Sequence, residues 1–166
     1  MYKVQHDVSK AGAQLVTEQA FAQGEIVAAI HDFTVMSTPT YQSIQIGPRQ
    51  HIEDTGVIVY MNHSCDPNTE IDTTTLIIRA VRDIASGEPL TFFYPSTEWE
   101  MERSFVCVCS SERCVGLVAG AKYLSVAILS CYFVNEHICQ MILDALSPLR
   151  GSEMVEAAPH HRLETV

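Results

Sequence analysis

Cys107-Val108-Cys109 followed by Cys114 places three thiols at C-x-C-x4-C spacing, close enough on one turn to share a metal ion. A structural zinc site takes four ligands in a tetrahedron, with sulfur about 2.3 Å from the ion. The fourth has to come from elsewhere. Cys65, inside the polar string Asn62-His63-Ser64-Cys65-Asp66-Pro67-Asn68, is the obvious donor if that loop folds against the knuckle. Three unconnected thiols or a single disulfide are the alternatives to Zn2+. Cys131 and Cys139 stand two turns apart in an apolar stretch and read as small core residues.

Two more strings carry chemistry-bearing residues. In 62–68 the Asn, Ser and Asp side chains can bond to their own backbone and Pro67 fixes a bend, so the segment can be a loop that holds its own shape. An apolar run, Val57 to Met61, leads into it, and Cys65 couples it to the metal candidate. Gly87-Glu88-Pro89-Leu90-Thr91-Phe92-Phe93-Tyr94-Pro95 reads as a turn and then an aromatic strand. Such a cluster packs in a core, but a tyrosine at the strand end beside Pro95 can also present its hydroxyl to a cleft.

The elements that must position these residues are short. Strands are expected at Gln14 to Val16, at Ile26 to Ile30 after the turn Gln23-Gly24-Glu25, and over the strictly alternating Tyr41 to Ile46. Further strands are expected at Leu76 to Val81 and Leu90 to Tyr94. From Ala121 to about Leu146, apolar residues recur mostly every three or four positions, the stripe of an amphipathic helix closed by Ser147-Pro148. Residues 151–166 lack periodicity and read as a disordered tail. The expected layout is mainly β, with a body at 1–104, a cysteine knuckle at 105–120, one C-terminal helix at 121–150 and the tail.

Composition narrows the function. The chain has 166 residues, 47% of them apolar and 18% charged, enough to bury a core. Its net charge of −10 leaves no basic surface to neutralise phosphates, which excludes direct nucleic-acid binding and favours a basic partner such as a lysine-rich peptide. The opening residues lack an apolar signal segment. The longest apolar stretch, Tyr123 to Val134, is shorter than the about 20 residues a bilayer span needs. A soluble, intracellular protein is expected, and in a reducing compartment clustered cysteines point to metal rather than disulfides.

Taken in order and spacing, Asn-His-Ser-Cys-Asp-Pro-Asn at 62–68, Gly-Glu-Pro-Leu-Thr-Phe-Phe-Tyr at 87–94 and the cysteines at 107–114 resemble the SET-domain protein-lysine methyltransferases with a post-SET motif. The resemblance covers about residues 8–124. It implies small curled β-sheets in which the 62–68 loop and the Tyr94 strand pass through one another as a pseudoknot. It implies S-adenosylmethionine bound by Asn62 and His63 and by the early segment Gly12-Ala13-Gln14, with Tyr94 contributing. Tyr94 would be the catalytic tyrosine, and Phe92 would tune how many methyl groups are added. Tyr41 would open the strand lining cofactor and substrate, giving a channel of Phe92, Tyr94 and Tyr41 for a lysine side chain. Cys65, Cys107, Cys109 and Cys114 would hold a structural zinc ion.

The chain departs from the family pattern at three places. Gln14 stands where the second glycine of Gly-x-Gly is expected, Phe93 where Asp often precedes the tyrosine, and Val59 where an arginine is common. The same fold acting on a small amine or metabolite, and a non-catalytic binding module, are therefore the alternatives to a protein-lysine methyltransferase.

Overall fold

The computed structural model of the chain describes residues 1–7, 12–54 and 56–147. The strands in chain order are β1 (Tyr2–Asp7), β2 (Gly12–Thr17), β3 (Ile26–Ala29), β4 (Phe33–Met36), β5 (Ile44–Gly47) and β6 (Gln50–Asp54). They continue with β7 (Asn62–His63), β8 (Thr69–Asp72), β9 (Ile77–Ala80), β10 (Thr91–Phe92), β11 (Phe105–Val106) and β12 (Leu117–Val118). β1 and β2 form a hairpin. β9 lies between β3 and β8, β6 lies between β4 and β5, and all these pairings are antiparallel.

Alternation along the strands places the core. In β8, Thr69 and Ile71 are buried while Glu70 and Asp72 are half-exposed, the period of two that a pleated strand imposes. Ile52, Ile71, Ile78, Ile84, Leu90 and Phe92 pack into one cluster with Leu15 and Ile44. Phe93 faces the other way and joins Ala121, Leu129 and Ile138 in a second cluster under the C-terminal segment. Consecutive phenylalanines thus fasten two layers to one strand.

β7 and β10 pair in parallel, Asn62 opposite Thr91 and His63 opposite Phe92, and the backbone N–H of Ser64 extends the ladder to Phe92 O at 3.0 Å. This pairing threads the 62–68 loop against the Tyr94 segment. Asn68 locks it. Its Oδ1 accepts the Thr91 N–H at 2.8 Å and its Nδ2 donates to Pro89 O at 2.8 Å and to Glu88 Oε1 at 3.1 Å.

Several expected elements are shorter than the sequence pattern indicates. The strand at 41–46 begins only at Ile44, and Tyr41 sits in a turn braced by Thr40 and Ser43, each bonded to the other. The apolar run before Asn62 is a 3-10 turn, Ile58–Tyr60, with only Ile58 buried. The strand ending at Tyr94 stops at Phe92, because Pro95 has no N–H for a ladder and starts the 3-10 turn Tyr94–Ser96.

The helix expected from residue 121 is divided. Ala121–Tyr123 forms a 3-10 turn, α1 (Val126–Leu129) is one turn capped by Ser125, and the main C-terminal helix is α2 (Glu136–Leu146). The break lies at Asn135, whose backbone is extended and whose side chain is committed elsewhere. Asn135 Nδ2 donates to Ile71 O and to Ser96 O at 2.9 Å, and its Oδ1 accepts the Thr73 N–H at 2.8 Å. A continuous helix would forfeit those bonds. Only Leu129 and Ile138 of the two helices are fully buried, so Cys131 and Cys139 are exposed rather than core residues. The tail at 151–166 lies outside the described residues. No described helix is long and apolar enough to cross a membrane.

Candidate active site and thiolate cluster

Cys65, Cys107, Cys109 and Cys114 converge, their four Sγ atoms all within 4.8 Å of one another. Four sulfurs at zinc-bond distance would form a tetrahedron with edges of about 3.8 Å. The Cys65–Cys107 separation is 3.9 Å, so the cluster fits such an ion with little adjustment. Donors surround the sulfur of Cys65 as expected for a metal-bound thiolate. His63 Nε2 lies 3.2 Å away and the Val115 N–H lies 3.5 Å away. The loop is clamped from outside by an ion pair between Arg113 and Asp66 and by the Tyr132 hydroxyl donating to Cys65 O at 2.8 Å.

His63 occupies the joint between cluster and cleft. Its Nδ1 accepts the Tyr94 N–H at 3.3 Å, so in the neutral ring the proton sits on Nε2 and points at Cys65 Sγ. Burial pushes its pKa down to about 4, which keeps the ring neutral. Both ring nitrogens are thus engaged inside the protein. Asn62 is exposed and donates from Nδ2 to Ala13 O at 3.0 Å. Its contact brings the loop beside Gly12, Ala13 and Gln14 on β2, of which Gly12 is exposed and the other two half-buried.

Against Phe92 of β10 lies a cavity of about 240 Å3. Phe92, Tyr94, Ile44, Ile58 and Met61 line its inner part, and Tyr41 and Arg103 stand at its mouth. Tyr41 is 67% exposed with the Arg103 guanidinium 5.1 Å above its ring, so it borders the entrance rather than the floor. Phe92 and Tyr94 touch at a centroid distance of 4.8 Å. The Tyr94 hydroxyl donates to Met61 O at 2.9 Å, which leaves its oxygen lone pairs free to accept from a bound group. Burial raises its pKa to about 12, so the phenol stays protonated.

The departures now have physical content. Phe93, where an aspartate was expected, stacks on Tyr132 with ring centroids 3.7 Å apart and binds the C-terminal segment to the body. Gln14 lies half-buried on β2, opposite Gln5 of β1, and Val59 is in the 3-10 turn before the loop. The buried carboxylate of the cavity escaped the sequence reading. Glu98 is 8% exposed and lines the same cavity as Phe92 and Tyr94. A carboxylate just past an aromatic strand carries no signal of its own. Only the 3-10 turn, with the Glu98 N–H bonded to Tyr94 O at 3.0 Å, turns it inward.

A small β-body thus combines a parallel strand pair, an aromatic cavity and a cluster of four thiols. The family model of the SET domain matches residues 12–95, and the chain belongs to the SET-domain family. It is 45% identical over 105 residues to "Methyltransferase flvH" of Aspergillus flavus, covering 62% of this chain and 59% of that protein. It is 34% identical over 70 residues to "Histone-lysine N-methyltransferase, H3 lysine-4 specific" of Aspergillus fumigatus, covering 38% of this chain and 6% of that one. The chain thus spans about three fifths of the first relative and a small part of the second. Among solved structures, KRYPTONITE in complex with mCHH DNA, H3(1-15) peptide and SAH shares the fold, with a TM-score of 0.52 and 18% identity over 70% of this chain and 29% of that one.

Proposed function

We propose that the chain is an S-adenosylmethionine-dependent N-methyltransferase whose acceptor is a lysine amine on a basic protein or peptide. The observation that carries this reading is the placement of Tyr94 and Phe92 in one cavity while Asn62, on the strand paired with β10, contacts the 12–14 segment. Membership of the family and the complexes of its structural neighbour with SAH and an H3 peptide support it. S-adenosylmethionine, when bound, supplies a methyl group on a positively charged sulfur. Asn62, His63 and the Gly12-Ala13-Gln14 backbone hold it, and Cys65, Cys107, Cys109 and Cys114 hold a Zn2+ ion that stiffens the adjoining lid without taking part in the chemistry.

The protein residues act mainly by placement. The apolar walls formed by Phe92, Ile44 and Ile58 strip water from an incoming amine and lower its affinity for its third proton, from a free pKa of about 10.4. The Tyr94 oxygen, its own proton committed to Met61 O, accepts an amine N–H and so aims the nitrogen lone pair. Correct placement of two reactants accounts for about 7–11 kcal/mol in well-oriented reactions. Phe92 beside Tyr94 leaves room that a second hydroxyl would fill, so Phe92 sets how many methyl groups the amine receives. A second reading, the same chemistry on a small amine, is compatible with the 45% identity to a relative named only as a methyltransferase.

Calorimetric titration with S-adenosylmethionine and turnover measured on lysine peptides and small amines test the proposal. Asn62→Ala is expected to weaken cofactor affinity by about 1.5–3 kcal/mol, the contribution of hydrogen bonds to a charged ligand. Tyr94→Phe should preserve folding and cofactor affinity while lowering turnover at least tenfold, about 1.4 kcal/mol. Full turnover in Tyr94→Phe refutes the mechanism, and absence of cofactor binding in the parent protein refutes the enzyme.

A further inference from the structure

Glu98 is the one buried carboxylate that lines the aromatic cavity among the described residues. Its Oε1 accepts the Gln45 N–H at 2.7 Å and the Thr97 hydroxyl at 3.3 Å. Its Oε2 has no hydrogen-bond partner among the described residues, yet it is not an enclosed orphan of the kind that His51 Nδ1 is. The free oxygen therefore opens onto the cavity. A buried carboxylate with one oxygen anchored and the other unpaired is costly unless a cation or a hydrogen-bond donor enters beside it. Every aromatic wall around it suits a cation as well, since ring faces attract positive charge.

We propose that Glu98 receives the ammonium group of the acceptor in this cavity and takes its proton, so that the site selects amines that arrive charged. The inference rests on the methyltransferase reading for the purpose of the proton transfer, but not for the recognition of the cation. In the transfer one N–H bond of the ammonium breaks, its electron pair stays on nitrogen, and the carboxylate becomes a carboxylic acid. The lone pair so freed is the one that methyl transfer consumes. The proton leaves from Glu98 to water through the open mouth past Tyr41 and Arg103. Tyr94 cannot take this part, because its hydroxyl proton is given to Met61 O and its pKa lies near 12. Burial raises the Glu98 pKa to about 7, partly offset by the Gln45 and Thr97 bonds, a value that lets the group accept and release a proton at neutral pH.

Other ionisable groups surround the carboxyl. Tyr94, Tyr41, Glu102 and Arg103 share the cavity, while His51 lies on β6 opposite Gln45 and His137 Nε2 donates to Thr97 O at 2.9 Å. The test therefore removes Glu98 alone. Glu98→Gln keeps the size of the side chain and an oxygen for the Gln45 N–H. The probes are n-butylammonium and its uncharged counterpart 1-pentanol, followed by NMR titration of the zinc-loaded protein, with S-adenosylmethionine affinity measured in parallel. Butylammonium should bind the parent protein at least tenfold more tightly than Glu98→Gln, while pentanol should show no such preference for the parent. In the parent, butylammonium affinity should rise as pH passes through about 7. That readout stands even if the variant fails to fold. Equal butylammonium affinity in parent and variant, or no pH dependence in the parent, overturns the assignment. Loss of S-adenosylmethionine binding in the parent together with intact butylammonium selection would overturn the enzyme reading alone.

Discussion

The loop at 62–68 and the knuckle at 105–118 meet at Cys65, yet they are held by different forces. The loop is satisfied from within. Asn68 alone makes four side-chain bonds to β10 and the turn before it, Asp66 N–H is bonded to Ser64 Oγ at 3.0 Å, and Ser64 N–H reaches β10. The knuckle contains a two-residue strand pair, the Cys107 N–H to Gly116 O bond and the Cys114 N–H to Ser111 O bond, with Val106, Val108 and Leu117 exposed. Of its apolar side chains only Val118 is fully buried, with Val115 partly buried against the second cluster. A segment with so little to bury stays ordered only if an ion joins its ligands. The cavity side of the site is thus built by the protein, and the lid side by the metal.

Breaking the metal should show this difference most strongly. Cys109→Ser, or a strong chelator added to the parent, is expected to abolish amide-exchange protection over 105–118 while β8 and β9 keep theirs. Exchange measured by mass spectrometry reads both regions in one experiment, and uniform loss of protection would show that the loop depends on the ion too. Elemental analysis should find one zinc per chain in the parent and none in the variant.

A smaller effect should follow from cutting the hydrogen-bonded anchor of the second layer. Asn135→Ala removes the bonds to Ile71 O, Ser96 O and the Thr73 N–H, leaving buried groups unpaired, at a cost of about 4 kcal/mol. Denaturant unfolding should report that loss, and α2 should detach first because Asn135 is its N-terminal fastening. Stability equal to the parent would mean that Phe93 stacking on Tyr132 is sufficient to dock the segment.

The gentlest probe is pH. The folded pKa of Glu98 lies above its ordinary 4.5, so its contribution is complete below 4.5 and is lost as pH rises through about 7. Glu98→Gln should therefore match the parent near pH 4 and exceed it near pH 8 by on the order of 2–3 kcal/mol. His51 and His137, both pushed down by burial, work in the opposite sense: their contribution is complete above the ordinary value and fades as pH falls below it. Unfolding midpoints at pH 4, 6 and 8 for both proteins separate these trends. A parent-to-variant difference that stays constant across the range would contradict the burial of Glu98.

The chemistry at the cluster was legible in the sequence because cysteine spacing and a polar loop are local signals. Cys65 needed only one fold-level assumption to join the other three. The resemblance puts Tyr94 and Phe92 at a cleft and the structure has both lining one cavity, whereas an aromatic pair at a strand end otherwise reads as core. Tyr41 was misplaced onto a strand because alternation over 41–46 ignored the Thr40–Ser43 turn that starts it. The long helix was overdrawn for a related reason. Periodicity from 121 to 146 registers apolar spacing but not Asn135, whose bonds to β8 and the 3-10 turn are long-range and invisible to any window. Glu98 carries no sequence signal because its inward turn depends on the 3-10 bond to Tyr94 O and its anchor, the Gln45 N–H, is 53 residues away.

Gly120 shows how tightly one joint is closed. Its φ is +117°, and a Cβ there would lie 2.4 Å from Trp99 O. Immediately after it the Ala121 and Lys122 N–H groups bond to Glu98 O and Trp99 O at 2.8 and 3.0 Å. The backbone that carries the cavity carboxylate is therefore gripped by the chain returning from the knuckle. Any side chain added at 120 would act as a wedge, prising that grip open and tilting Glu98 out of alignment without altering a single residue that lines the cavity.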